Sequence, residues 1–443
     1  MKKLLCLLLC LCLMLPLAAC AADTPAVTTT APTTGASLKD RPLQLGVLYP
    51  GKIAEENTAT YALHQELKKA MRRRGLDEEL GICVQELVPE RSEDVLAAVD
   101  RLVEAGAVLI FGTALGYSEG MNRAADKYPD VIFCQLGGTV GNESNLATYF
   151  APLYYAYFMA GAAVAMKALE LETQEIGFIS TSGKDHPEAA AIINAFTRGV
   201  QVYLPSATVR LRVLEPGATE AMEMNAVDDL FQLYECRVFG TYTHTAGALR
   251  QASSLGLYAT GPWFTDNGLE SYQSALLVAP QVRWFSFFVD AIKAAEQCNV
   301  ADEFSTALGT SGYYGEFGCD NFMKPDKSAD VWLAEFGGGC SALTAIAMSA
   351  LRPDNLYDWD VLPPTEQYPT GTVVTFPSEI FKGPFAGVLY AVNIIDEHTY
   401  SISASPALMA DTEGNVRIEA GGAALEPNEI REMDYYIMGI EVV

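Results

Sequence analysis

Residues 109–138 read LIFGTALGYSEGMNRAADKYPDVIFCQLGG, and this stretch decides the fold class. An apolar run stops at Gly112 and Thr113, where a loop of small and polar residues begins. Residues 119–127 then have helical spacing, and residues 131–133 form a second apolar run. A short strand, a loop, a helix and another strand make the repeating unit of a parallel sheet that is covered by helices.

The same alternation extends to both sides of this unit and later restarts. The predicted strands are residues 44–49, 82–87, 108–111, 131–133, 175–180, 209–213, 237–240 and 256–261. The predicted helices are residues 61–73, 93–104, 119–127, 187–198, 226–233 and 246–254. Because the strands are short and continuously apolar, helices are expected on both faces of each sheet. The pattern therefore predicts an α/β protein with two doubly wound parallel-sheet lobes.

Six loops follow the carboxyl ends of predicted strands, where open parallel sheets bind their ligands. They are Tyr49–Pro50, Gly112–Thr113, Leu136–Gly137–Gly138, Ser180–Thr181, Thr241–Tyr242–Thr243 and Pro262–Trp263. If the two lobes face each other, these loops line one cleft. Aromatic and hydroxyl residues are frequent in them, which favours a flat small molecule with polar edges.

The N-terminus has the pattern of an exported lipoprotein. Two lysines precede an apolar run at residues 4–17, which is too short for a comfortable membrane span. The run ends in Leu17-Ala18-Ala19-Cys20, which resembles a bacterial lipobox. Residues 1–20 are therefore predicted to be a lipoprotein signal peptide, with Cys20 lipidated. An ordinary signal peptide that is cut nearby is the alternative.

Residues 21–42 are rich in threonine, alanine and proline, a composition that cannot build a core and predicts a flexible tether. A lipid, a tether and a globular body together predict a protein that is anchored to the cell membrane on its extracytoplasmic face.

Composition and motifs exclude several classes of function. The formal net charge of -26 argues against a nucleic-acid partner, because phosphate binding needs a basic face. No cluster of cysteine and histidine has metal-ligand spacing, so neither a metal nor a cofactor is expected. No nucleophile motif or useful carboxylate pair is present, which predicts that the protein is not an enzyme. Whether Cys319 and Cys340 form a disulfide stays open.

Four stretches carry a resemblance to a known family: residues 110–133, residues 145–166, residues 191–209, and a C-terminal pair at residues 383–387 and 425–441. The chain resembles the basic membrane protein (BMP/Med) family of ABC-transporter solute-binding lipoproteins, which is also called the nucleoside-binding family. In that comparison, residues 145–166 correspond to a long helix that begins from an Ala-Thr-Tyr-Phe turn. The resemblance implies a type I periplasmic-binding fold, in which a hinge joins the two lobes.

It also implies how the chain is divided. Lobe 1 is expected to comprise residues 43–172 and 263–308, and lobe 2 residues 173–262 and 309–380. Residues 381–443 would be a C-terminal segment that packs on the body.

The candidate ligand-binding residues come from the loops and from the resemblance. They are Tyr49, Tyr61, Thr113, Tyr117, Gly138, Thr243, Trp263, Asp266 and Trp284. Tyr61 and Tyr117 either stack on a heterocycle or pack between helices. Asp266 either accepts a hydrogen bond from the ligand or caps a loop, and His244 is either a ligand donor or a structural histidine.

The resemblance implies that the protein is the solute-binding component of an ABC importer. It would bind a purine nucleoside or related heterocycle in the cleft and deliver it to a permease. Two alternatives stay open at this point. One is a sensor that passes ligand occupancy to a membrane signalling partner, and the other is an extracellular enzyme that acts on nucleosides.

Overall fold

The computed structural model describes residues 38, 42–137, 141–142, 144–264, 268–309, 312–314, 331–334, 368–369, 384–396, 399–426, 429–430 and 432–443. The predicted signal peptide, the lipidation of Cys20 and the disulfide between Cys319 and Cys340 lie outside these residues.

The described helices and strands follow the predicted alternation. The helices are α1 (Ala59–Arg74), α2 (Ser92–Glu104), α3 (Ser118–Lys127), α4 (Leu153–Glu170), α5 (Pro187–Tyr203), α6 (Glu220–Tyr234), α7 (Gly247–Ser254), α8 (Phe285–Gln297) and α9 (Phe304–Leu308). The strands are β1 (Leu45–Leu48), β2 (Ile82–Gln85), β3 (Leu109–Gly112), β4 (Ile132–Leu136), β5 (Leu146–Phe150), β6 (Glu175–Ser180), β7 (Thr208–Val213), β8 (Val238–Tyr242), β9 (Tyr258–Ala259), β10 (Ala279–Val282), β11 (Gly312–Tyr314), β12 (Val331–Ala334), β13 (Tyr368–Pro369), β14 (Val388–Asp396), β15 (Thr399–Pro406), β16 (Met409–Ala410), β17 (Val416–Ile418) and β18 (Ile440–Val442).

The first lobe is built on a six-stranded sheet with the order β11-β5-β4-β3-β1-β2. Every pairing in it is parallel, and β1 lies between β2 and β3, with Leu45 opposite both Ile82 and Leu109. The residues of β1, β3 and β4 are buried throughout, because helices cover both faces of the sheet. The predicted parallel sheet is thus confirmed in this lobe.

The sequence signals at the ends of α1 explain where this helix begins and ends. The Thr58 side chain caps its first turn by accepting a hydrogen bond from the backbone N–H of Tyr61. The helix stops at Gly75, which has a φ of 76° and donates its N–H to the carbonyl of Arg72. Helix α8 packs beside α1, and an ion pair between Arg74 and Glu296 joins them.

One expectation for the first lobe is wrong. Residues 147–150 were expected to form a turn that leads into a long helix, but Leu146–Phe150 is a strand, and the helix begins at Leu153. The stretch pairs with β4 on one side and with β11 on the other, so tertiary pairing decides its conformation. Its β-branched and aromatic residues also suit a buried strand.

The second lobe is built on a five-stranded parallel sheet with the order β18-β7-β6-β8-β9. Four of these strands are consecutive in the sequence, whereas β18 comes from the end of the chain and pairs with β7, Ile440 opposite Val209. The C-terminal segment therefore contributes a strand to this sheet. The lobe boundaries that were expected from the sequence stay a prediction.

Strand β10 leads from the second lobe back to α8, and it pairs with β12 in an antiparallel ladder. Strands β14 and β15 form an antiparallel hairpin that β13 extends, and β16 pairs with β17. No helix in the described ranges combines the length and the apolar character that are needed to cross a bilayer.

Helices α4 and α5 approach each other so closely that their backbones touch. A Cβ atom added to Gly161 of α4 would lie 2.0 Å from the carbonyl oxygen of Phe196. A Cβ atom added to Gly199 of α5 would lie 1.9 Å from the carbonyl oxygen of Phe158. Since backbone atoms are hit in both cases, neither contact can be relieved by a change of rotamer. Glycine is therefore required at both positions.

We expect Gly199→Ala to lower the free energy of unfolding by about 3 kcal/mol, because the added methyl group forces the two helices apart. An added Cβ at an exposed helical site would instead stabilise the protein by about 1 kcal/mol. Ala97→Gly on the exposed face of α2 measures that propensity term as a control. Urea unfolding of both variants checks the expectation, which a stability equal to wild type for Gly199→Ala would contradict.

Candidate functional site

A cleft lies between the carboxyl ends of the two parallel sheets, and its space amounts to about 710 Å³ when the solvent at its open mouth is included. Each of the six strand-end loops that the sequence pointed to contributes a residue to its wall. These residues are Pro50, Thr113, Leu136, Thr181, Tyr242 and Trp263. The expected convergence of the loops is therefore observed, while ligand binding itself stays a prediction.

Aromatic rings form much of the wall of the cleft. Phe150 comes from the end of β5, Tyr242 from the end of β8, and Trp263 and Trp284 from the segments that flank β10. The rings of Tyr242 and Trp263 lie 6.0 Å apart, and Trp284 meets Tyr149 edge to face at 5.2 Å. Such an arrangement presents flat apolar surfaces with polar edges to a solute.

Three of the predicted ligand-binding residues lie in the wall: Thr113, Trp263 and Trp284. The Thr113 hydroxyl donates to the carbonyl of Leu48 at 2.7 Å, which joins the ends of β3 and β1. Its lone pairs can still accept a hydrogen bond from a solute. The Trp284 backbone N–H donates to the Glu66 carboxylate at 2.5 Å, and this bond fixes the start of α8.

Four other predicted residues do not line the cleft. Tyr117 is buried, and its hydroxyl donates to the carbonyl of Val88 at 2.8 Å. The Tyr49 hydroxyl lies 3.3 Å from Nδ1 of His64. The Thr243 hydroxyl donates to the carbonyl of Thr245, and Tyr61 is half-buried in the first turn of α1.

The remaining two predicted ligand-binding residues, Gly138 and Asp266, lie outside the described residues.

His244 lies in the wall and also joins the two lobes. Its backbone carbonyl accepts a hydrogen bond from the N–H of Ala59 at 3.0 Å, and Thr58 forms a β-bridge with Thr245 beside it. The side chain is half-buried and lines the cleft, and burial by the surrounding protein lowers its pKa to about 4. The imidazole is therefore neutral near pH 7 and can both donate and accept a hydrogen bond.

A buried carboxylate anchors the loop that carries His244. Glu223, in the first turn of α6, accepts hydrogen bonds from the N–H groups of Thr245 and Gly247, both at 3.1 Å. Burial raises the pKa of this carboxyl to about 7, although these hydrogen bonds lower it. The protonation of the Glu223 carboxyl therefore bears directly on the loop that meets α1.

The sequence interpretation missed two acidic residues of the wall, Glu90 and Glu188. Glu90 lies in the loop after β2. The expectation that ligands bind beyond the carboxyl ends of parallel strands would have found it, had that expectation been applied to β2 as well. Glu188 lies in the first turn of α5, directly after Pro187. Acidic residues are common at this position because they interact favourably with the helix dipole. The sequence therefore gives no separate signal that Glu188 belongs to a site.

In the part of the chain that the structure describes, no group of three or more histidine, cysteine, aspartate or glutamate side chains is placed to hold a metal ion.

Comparison with known protein families gives a match over residues 44–275, just over half of the chain, to PnrA-like ABC transporter substrate-binding proteins (Bmp). A protein of Haloferax volcanii, provisionally named as an ABC transporter glucose-binding protein, is 28% identical over 219 residues. That match covers 48% of this chain and 51% of the relative, so the chain spans about half the length of that protein. A purine-binding protein of Brucella abortus is 24% identical over 260 residues, which cover 59% of this chain and 71% of the relative.

Among solved structures, an ABC transporter solute-binding protein from Aeropyrum pernix superposes with a TM-score of 0.53. It is 14% identical in sequence, and the match covers 66% of this chain and 77% of that protein. At this identity the likeness concerns the fold alone. It confirms the expected type I periplasmic-binding fold with two α/β lobes.

We expect the stability of the protein to depend on pH through Glu223. Because the folded state raises the pKa of this carboxyl from 4.5 to about 7, folding takes up a proton, and stability is lost as the pH rises through this window. The loss amounts to about 3 kcal/mol, since one pKa unit corresponds to about 1.4 kcal/mol. Urea unfolding of wild type and Glu223→Gln between pH 4.5 and 7.5 measures it.

The difference in free energy of unfolding between wild type and Glu223→Gln should shift by that amount across the pH range. Glu215→Gln removes an exposed carboxylate from the same lobe and should give a flat difference. A flat difference for Glu223→Gln as well would show that its titration does not affect folding.

Proposed function

Because the chain belongs to the family of PnrA-like ABC transporter substrate-binding proteins, we propose that its cleft binds a purine nucleoside or a related heterocycle for import. The family consists of binding proteins and not of enzymes. The protein would hand its solute to an ABC permease and work outside the cytoplasm, held to the membrane by a lipid on Cys20. Closure of the two lobes on the solute would be the signal to the permease.

The observation that carries this proposal is the wall of the cleft. Aromatic rings, among them Trp263 and Trp284, offer flat surfaces, and Thr113, Thr181 and Ser182 add hydroxyl groups to the wall. A purine has two large faces and polar edges, so it can stack on the rings and bond to the hydroxyl groups at once. A neutral His244 fits an uncharged heterocycle.

The names of the two relatives point to different solutes, a purine and a glucose. The aromatic content of the wall favours the purine, because a bicyclic planar ring buries more of the tryptophan surface than a hexose does. The discriminating experiment is thermal unfolding of the purified protein against purine nucleosides, purine bases and D-glucose, after unfolding and refolding to remove bound solute. A solute at a hundred times its dissociation constant adds about 2.7 kcal/mol.

We expect purines to raise the unfolding temperature and Trp263→Leu to weaken purine binding by about tenfold or more, because a stacking surface is lost. Tyr117→Phe is the matched control, since it alters a buried aromatic side chain that does not line the cleft. It should lower stability by about 1 kcal/mol and leave the affinity unchanged. A shift with D-glucose and none with any purine would overturn the purine assignment.

A further inference from the structure

A backbone contact joins the two lobes beside the cleft. The N–H of Ala59, the first residue of α1, donates to the carbonyl of His244 at 3.0 Å. This bond belongs to an antiparallel β-bridge between Thr58 and Thr245. Helix α1 follows β1 in the first lobe, whereas His244 follows β8 in the second. Because Ala59 and His244 both line the cleft, the contact lies in the wall itself.

The same contact completes the start of α1. The first N–H groups of a helix find no carbonyl acceptor within the helix, so they need acceptors from elsewhere. The Thr58 hydroxyl accepts from the N–H of Tyr61 within the first lobe, whereas the acceptor for Ala59 is a carbonyl of the second lobe. The first turn of α1 is therefore capped in part by the opposite lobe.

A buried carboxylate holds the second-lobe side of this contact. Glu223 is 0% exposed, and its two oxygens accept from the N–H groups of Thr245 and Gly247, at 3.1 Å each. A Cβ atom built on Gly247 would lie 2.6 Å from the carbonyl oxygen of Glu220 and 3.1 Å from Cβ of Glu223. Residues 243–247 therefore pack closely on α6, and this packing fixes the carbonyl that reaches α1.

Every bond in this arrangement joins groups of the protein itself, so the contact can form with or without a solute. Any opening of the cleft at this edge breaks the β-bridge and exposes the Ala59 N–H and the His244 carbonyl to water. Since both groups then bond to water, the net stabilisation is that of a single backbone hydrogen bond. A contact of that size shifts the balance between open and closed lobes without locking them.

We propose that residues 243–247 and the first turn of α1 form a latch between the lobes, and that Glu223 is its positioning residue. Glu223 is not among the described residues that line the cleft, and it acts through the loop that it anchors. The latch favours the closed cleft whichever solute is bound, so it slows release and does not depend on the proposed function. Because such coupling is reciprocal, a change on either side of the latch affects the other side.

The test is hydrogen exchange of the full chain, refolded to remove solute, with mass spectrometry of its peptides. Glu223→Met fills a similar space and offers no oxygen, which leaves the N–H groups of Thr245 and Gly247 without their acceptor. The peptide of residues 57–63, which lies in the other lobe, should then exchange about tenfold faster or more. Glu223→Gln keeps one oxygen acceptor and should give a smaller increase.

The reciprocal variant is Ala59→Pro, which removes the N–H donor at the first position of α1. Proline is favoured at that position, and Thr58 is extended, with a φ of -124° and a ψ of 158°, as suits a residue before proline. The helix should therefore form, while the bond to the second lobe is lost. Exchange of residues 243–247 should rise about tenfold, although the substitution lies in the first lobe.

The matched controls are Ser92→Pro, at the first position of α2 after an extended residue, and Glu215→Met, which replaces an exposed carboxylate of the second lobe. Both should leave the exchange of the two latch peptides unchanged. If Glu223→Met speeds exchange in the second lobe alone, or if Ala59→Pro leaves residues 243–247 unchanged, the inference is wrong. Should Glu223→Met unfold the whole protein, Ala59→Pro decides by itself.

Discussion

The backbone contact between α4 and α5 is the constraint on which the rest of the molecule depends. At Gly161 and Gly199 the two helices touch without intervening side chains, so their relative position is fixed. Helix α4 connects the last consecutive strand of the first sheet to the second sheet, and its Tyr157 hydroxyl donates to the carbonyl of Thr241 at the end of β8. Both helices contribute residues to the wall of the cleft, Leu153 from α4 and Ile192 from α5. Their contact therefore positions the wall with respect to both sheets.

Helix α5 also holds the C-terminal segment in place. The Arg198 guanidinium is buried and donates to the carbonyl of Ala386 at 2.7 Å, and burial lowers its pKa to about 10. Asn194 donates to the carbonyl of Tyr435 and accepts from the N–H of Ile437, so both polar atoms of its side-chain amide are bonded to the backbone of that segment. A buried cation and a buried amide are stable here because backbone groups satisfy them. These directional polar contacts thus fix the position of the C-terminal segment on α5, which apolar packing alone would specify less closely.

The sequence predicted the two parallel sheets and the loops that meet at the cleft, because apolar runs and strand-end chemistry are local signals. The sequence did not predict features that depend on the direction of a side chain or on pairing between distant parts of the chain. Residues 146–150 pair with a strand that is far away along the chain, so no local pattern separates them from a turn. For Tyr117 the sequence left open whether the ring stacks on a solute or packs between helices; its hydroxyl donates to the carbonyl of Val88, a direction that sequence spacing does not encode. Glu188 looks like an ordinary helix-start residue until the opposite lobe is in place.

Two edge strands come from late in the sequence, and this has a consequence for the rate of folding. Gly312 of β11 pairs with Thr148, and Ile440 of β18 pairs with Val209, so each sheet takes an edge strand from a region more than 150 residues away. Such pairings raise the contact order and slow folding, because long loops must close before the contacts form. Until then β5 and β7 are open edges, which can pair with other chains. Refolding is therefore expected to be slow and sensitive to protein concentration, and dilute conditions favour the native molecule.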